Sequence, residues 1–535
     1  MSYAMLWIES LAAALLLVAT AAAVVARWPF RWLRLAAMVL VALPLFALAA
    51  AATYGIGFLR YSANLELNWF VPALTWTGVF AVGALVLISY GTGGSGDAPR
   101  RASSWPRGAL ALGFTAAAIL LYLTYANLDL AMKMQQASLR AEAGAKLLAL
   151  TPPRPPDADN AALVYQEAFD NLTPREQLPP AWKAKADDWF DRAHKPLDPQ
   201  DKDLRDYLAS QARALELLHK AAAMPRCAFE RDYTEHISMP LPELEKLRHA
   251  AALLSLHAAA RAADGDLGGA LSDVDALFGV ARHADEPTLV CVVNALWIEE
   301  LAVRTLEAVL TLGTPKPEQL AALPLAEPGS HRRSVARAIQ MEEAVFGLAI
   351  FGLLGEDPDL SRAAGEAFGG CGWPPSGPAL SLWRVFHMPD DLAAYRRLMT
   401  RMRHLAERPY YEAQPDWEKL ARELRDRRPG VATALLVPAA WRVAVRAAEA
   451  DAHRRLARVA AAAVLFKAKN GKYPKKMEEL TPAFLPQPPL DPFTGKALRL
   501  WPDGDGLVLS CTCPELPKEL WGERKQPGEV TFRLK

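Results

Sequence analysis

The sequence predicts a mainly α-helical protein in three parts. These are a four-helix transmembrane bundle over 1–133, a helical extracytoplasmic domain over 151–430 built as hairpins, a bundle or a solenoid, and a small C-terminal α+β module over 440–535. Three observations carry this reading. Long charge-free stretches crowd into the front of the chain, helical spacing runs through its middle, and two short alternating segments follow a long helix near its end.

The stretches 10–26, 35–59, 67–96 and 108–128 contain no Asp, Glu, Lys or Arg, and a bilayer-spanning helix needs about 20 such residues. Arg27, Arg31 and Arg34 lie in the first connection and Arg100, Arg101 and Arg107 in the third, whereas the second holds only Arg60 and Glu66. Basic residues favour the cytoplasmic side, so everything after the fourth span is expected outside. The expected location is therefore the bacterial inner membrane, multi-pass, with the lipid bilayer as a partner and a periplasmic C-terminal domain. Trp28, Trp32, Trp69 and Trp105 fall at the expected interfaces. Transport is disfavoured, because the spans carry almost no ionisable group at mid-membrane depth.

Beyond Lys133 a polar, helix-favouring run ends at Thr151-Pro-Pro-Arg-Pro-Pro156, which reads as a stiff linker because each Pro fixes φ and removes a donor. Leu244, Leu247, Ala251, Leu254 and Ala258 recur at steps of three and four and share one helix face. Asp264-Gly265-Asp266 should end that helix, a second should run from Gly269 to Ala284, and Glu286-Pro287 should open a third that reaches Leu312. This is the texture of helical hairpins with short turns, without a recurring 34-residue period. A further helical block is expected from Arg333 to Leu424, broken at Gly369–Gly377, with a buried apolar helix at 344–354.

From Trp441 a long helix with Leu456, Val459, Ala463 and Phe466 as its stripe should stop at Asn470-Gly471. Ala497–Trp501 and Leu507–Cys511 then alternate, joined by Pro502-Asp-Gly-Asp-Gly506, and read as a β-hairpin. Between them stand Gly471-Lys-Tyr-Pro474 and Asp491-Pro-Phe-Thr-Gly495. In this order of elements and motifs, the stretch from Asp451 to Ser510 resembles the globular half of the major pseudopilin of type II secretion systems. The resemblance implies a helix lying on a small antiparallel sheet, used here as a terminal module. Together with Asp157-Ala-Asp-Asn-Ala-Ala-Leu-Val-Tyr-Gln-Glu-Ala168, this tail also resembles a group of large bacterial multi-span membrane proteins.

The chemistry-bearing residues fall into no motif. Cys227, Cys291, Cys371, Cys511 and Cys513 are odd in number, Cys291 is expected as a buried thiol, and Cys511-x-Cys513 lacks the second ligand pair of a zinc site. The ten histidines include no H-E-x-x-H, and His249 and His257 stand two turns apart on one helix. Gly91–Gly96 fits G-x-G-x-x-G without a strand before it or a helix after it. Asp503 and Asp505 invite a calcium reading, which pseudopilins support, yet a hairpin turn explains both and the EF-hand pattern is incomplete. Glu299-Glu300 and Glu342-Glu343 point in different directions from adjacent helical positions and are expected in solvent.

No catalytic, cofactor-binding or metal residue is therefore assigned, and no cofactor is expected. With 60 basic against 59 acidic residues there is no global field for nucleic acid. The expected role is a membrane-anchored, non-enzymatic scaffold that binds a protein partner or itself. A component of a secretion or envelope-assembly machine, and an enzyme whose site is assembled from distant helices, remain open alternatives.

Overall fold

Local turn chemistry cuts the chain into helices. The computed structural model describes residues 131–173, 177–180, 182–183, 185, 201–325, 330–354, 383–384, 387–426, 430–437, 440–512 and 529–534. Helix α1 covers 131–150 and is followed by α2 (Ala161–Asn171), α3 (Lys202–Ser210) and α4 (Ala212–Ala223). Then come α5 (Glu243–Ala263), α6 (Leu267–Ala284) and α7 (Leu289–Leu312). Side-chain caps start several of them. Asp201 accepts from the amides of Asp203 and Leu204, Asp266 from Gly269 and Thr288 from Cys291, each satisfying a donor the helix leaves over. Gly265, at φ +84°, makes the reversal between α5 and α6 that a side chain would disfavour.

The hairpin boundaries expected from Asp264-Gly265-Asp266 and Glu286-Pro287 match these helices. Helix α6 packs against both α5 and α7, and α4 lies against α6. At that last contact a Cβ on Gly279 would meet the Ala222 carbonyl oxygen at 2.5 Å, so the absent side chain is what lets the two backbones approach. Beyond the short α8 (Pro317–Ala321), α9 (Ser330–Glu342) passes into a π-helical turn, Glu343–Leu348, and then Ala349–Leu353. The apolar helix expected over 344–354 is accordingly helical, with Ala344, Val345, Leu348, Ile350 and Phe351 buried. Then follow α10 (Met388–Glu407), α11 (Tyr410–Asp426), α12 (Val431–Leu436) and the long α13 (Ala440–Asn470).

Gly471, at φ +75°, stops α13 where Asn470-Gly471 predicted. The hairpin is present as β1 (Arg499–Asp503) and β2 (Gly506–Thr512), with Asp503 opposite Gly506. Strand β3 (Glu529–Leu534) adds to the other edge of β2, pairing Leu507 with Leu534 and Thr512 with Glu529. Helix α13 packs on β2 and β3 and, on another side, on α7 and α9.

The chain divides into two compact units, one made of Met1–Arg140, Phe351–Tyr395 and Leu424–Leu435, the other of Ala141–Ile350, Arg396–Glu423 and Leu436–Lys535. In the first, Gln136 Nε2 donates to the carbonyls of Phe351 and Leu354 at 3.2 and 3.3 Å. There the buried Asp391 carboxylate accepts from the amides of Ala432 and Thr433, capping α12. Everything described in the following sections lies in the second.

One part of the expected fold class is corrected. Among the described residues no helix is long and apolar enough to cross a membrane, so the four-helix transmembrane bundle drops out and a mainly helical fold with one small sheet remains. The four charge-free stretches on which it rested, and the Gly91–Gly96 loop, lie outside the described residues. The long helices that are described interrupt their apolar faces with charge. Helix α5 carries Glu243, Glu245, Lys246, Arg248 and Arg261 toward its two ends, while its middle, Ala250–Leu256, is buried all round by protein.

Candidate metal centre

Two clusters of histidine and carboxylate are built into the helical body. In the first, His219 of α4, His257 of α5 and Asp273 of α6 converge, with one donor atom from each within 4.8 Å of the other two. His219 Nε2 lies 2.6 Å from Asp273 Oδ1, and His257 Nδ1 lies 3.0 Å from the same carboxylate. Asp273 is fully buried, while the rings of His219 and His257 are 29% and 21% exposed. Burial by itself would raise the Asp273 pKa, but the hydrogen bonds from His219 and His257 outweigh it and hold the carboxyl below its ordinary value. With Asp273 ionised, both ring nitrogens facing it carry the proton and donate.

The donor set has the make-up of a two-histidine, one-carboxylate site, which leaves coordination positions open. Donors around a tetrahedral zinc stand about 3.4 Å apart for bonds of ~2.1 Å, so to admit the ion the two histidine–Asp273 contacts would lengthen by less than about 1 Å and the ring nitrogens would give up their protons. Three helices with close backbone packing hold them, the Gly279 contact fixing α4 against α6. The histidines form part of the wall of a cleft of about 460 Å³, together with Leu208, Leu215, Ala260 and Arg261. Arg261 Nη1 stands 3.6 Å from Asp273 Oδ2 and donates to the Gly269 carbonyl. One carboxylate oxygen can thus serve a metal while the other faces a guanidinium. At the rim Arg205 grips Asp264 through both nitrogens, at 2.9 and 2.6 Å.

The second cluster is closed. His331 of α9 sits between Asp451 of α13, 2.6 Å from Nδ1, and Glu299 of α7, 2.9 Å from Nε2. Arg454 reaches Glu299 at 2.6 Å. Burial would depress the His331 pKa, but Glu299 and Asp451 overcome it and raise it to about 10. Both carboxyls are held below their ordinary values, His331 being the leading partner against burial in each case. An imidazolium and a guanidinium therefore balance two carboxylates, and this cluster pins three helices together.

Sequence reasoning expected no metal ligand and missed the first cluster, because its members stand 38 and 16 positions apart on three helices. One signal was available: Asp273 interrupts the apolar face of α6 formed by Ala270, Val274, Leu277 and Ala281, a place where a carboxylate needs a partner. Glu299, expected in solvent, is buried as an acceptor for His331 and Arg454. Glu342 likewise accepts from the Leu289 amide at 3.0 Å, and burial raises its pKa to about 7. His249 does not join His257. Cys227 and Cys291 are free thiols, Cys291 fully buried as expected, and Cys511 is buried in β2. Cys371 and Cys513 lie outside the described residues. Asp503 and Asp505 lie at the β1–β2 turn.

No protein-family model, curated protein or solved structure matches this chain.

Proposed function

We propose that the helical body binds a divalent transition-metal ion of the zinc class through His219, His257 and Asp273 and uses it as a Lewis acid on a small substrate in the adjoining cleft. What carries the reading is the convergence of three suitable donors, each from a different helix, beside open volume. A metal held by three protein ligands has a free position for water or substrate oxygen, and there it polarises the oxygen or lowers the pKa of bound water. Arg261, on the same wall, faces negative charge that develops on the substrate. This is the alternative of a site assembled from distant helices.

The test is calorimetric titration of the full-length chain with zinc. One ion per chain is expected, with affinity reduced at least about 100-fold by Asp273→Asn or His219→Gln, in line with loss of one of three ligands. Zinc-dependent hydrolysis of a generic ester or phosphoester should vanish in the same variants. Failure of the chain to take up zinc, cobalt or manganese stoichiometrically sinks the proposal.

The protein-interaction role is the second reading, and a separate observation favours it. Val290 and Trp297, seven residues apart on one face of α7, are 47% and 41% exposed. If that face joins two copies of the chain, Trp297→Lys shifts the sedimentation coefficient toward the monomer. An unchanged coefficient removes the reading.

A further inference from the structure

A second cavity, of about 170 Å³, opens between α9, the α10–α11 corner, α13 and the loop at Leu490. Its floor is made of small residues: Ala444, Ala447 and Ala448 present methyl groups where larger side chains would fill the space. The rings of Tyr410, Tyr411 and Trp417 line another side, Tyr410 and Trp417 being buried. Three arginines, Arg332, Arg408 and Arg455, also line it.

The charges around this cavity do not balance. Asp451 is the one carboxylate in its wall, and His331 engages it at 2.6 Å from behind. Arg455 stands 3.9 Å from Asp451, with its other nitrogen on the Leu490 carbonyl. Arg408 is paired with Asp416 at 2.8 Å. Arg332 donates to the Glu407 carbonyl at 3.5 Å, the limit of a hydrogen bond, and its charge also acts on Asp451. Asp451 is thus the one carboxylate that His331, Arg332 and Arg455 share, so positive charge exceeds negative around the cavity, and a planar fork of N–H donors is the group that best matches an incoming carboxylate.

From this placement we infer that the cavity is a binding site for a small aromatic carboxylate, its ring between the alanine floor and the tyrosine and tryptophan rings and its anionic end on Arg332 and Arg455. The size agrees. An apolar cavity of about 150 Å³ admits benzene, so this one has room for a single ring and a short polar group. The charge agrees as well, since a neutral ring would leave the guanidiniums uncompensated and a bare anion would leave the apolar floor in contact with water. The site is separate from the His219 centre and stands or falls without it.

Calorimetry on the full-length chain with benzoate tests the inference, with benzyl alcohol as the ring without the charge and acetate as the charge without the ring. Benzoate is expected to bind saturably at one per chain, at least about tenfold tighter than either, a difference of about 1.4 kcal/mol. Arg332→Gln should weaken benzoate about tenfold or more, and Ala447→Leu, which fills the floor, should abolish binding. A thermal melt like that of the parent chain shows that each variant is folded. Benzoate that binds no better than acetate, or equally well to a folded Arg332→Gln chain, overturns the inference.

Discussion

The two histidine–carboxylate clusters use the same side chains to opposite ends. Around Asp273 two imidazoles and, at 3.6 Å, the Arg261 guanidinium meet one carboxylate, and two ring edges lie open to a cleft. Around His331 one imidazolium and Arg454 meet two carboxylates, so the charges cancel and hardly any edge reaches solvent. Exposure, rather than residue type, therefore separates a cluster whose rings an ion can reach from one sealed between helices. The second holds helices together; the first is the site proposed to take up an ion.

Breaking the closed cluster should have the largest effect. His331→Ala leaves Glu299 and Asp451 buried beside each other and is expected to cost about 3–5 kcal/mol in chemical denaturation. Removing the partly exposed ring of His219, which leaves His257 and Arg261 on Asp273, should cost less, about 1.5–3 kcal/mol, and equal losses would erase the distinction between the clusters. The same contrast has a pH signature. Because the folded pKa of His331 is raised from 6.5 to about 10, its contribution is fully present below pH 6.5 and is lost as pH rises toward 10. Asp273, Glu299 and Asp451 have lowered pKa values, so their contributions are present above the ordinary carboxylate range and lost as pH falls through it. Thermal melts across pH should therefore show an alkaline loss that disappears in His331→Gln, together with an acid loss that shrinks in that variant to the part Asp273 contributes.

A ligand effect comes next. Zinc at 100 times its dissociation constant should stabilise the parent chain by about 2.7 kcal/mol, chelation should reverse the gain, and Asp273→Asn should show none. Zinc that stabilises Asp273→Asn equally would place the ion elsewhere. Last, Gly279→Ala forces a methyl group against the Ala222 backbone and should destabilise by about 1–3 kcal/mol. Because that contact sets α4 against α6, zinc affinity should fall with stability, which a titration of the variant checks. Unaltered affinity would show that the His219 ring is placed by something other than this contact.

Much of the helical body was legible residue by residue. Asp264-Gly265-Asp266, Glu286-Pro287 and Asn470-Gly471 end helices through φ preferences and caps that act over a few positions, and the Asp-Gly pairs between 503 and 506 turn a hairpin for the same reason. Strand β3 could have been read as well, since Val530, Phe532 and Leu534 alternate inward along it. The transmembrane bundle shows where composition overreached. The charge-free stretches lie outside the described residues, and the helices that are described are each too polar or too short to cross a bilayer.

By itself, then, the sequence determined where helices and turns begin and end, because those choices are made by neighbouring backbone and side-chain groups. Tertiary structure alone decided that His219, His257 and Asp273 meet, that Glu299 is a buried partner of His331 rather than a solvated acid, and that Arg332 and Arg455 share a cavity. Periodicity names the face of a helix on which a residue lies. Which other face it meets depends on crossing angles and interhelical distances set by packing over tens to hundreds of residues, and no spacing along the chain encodes those directly.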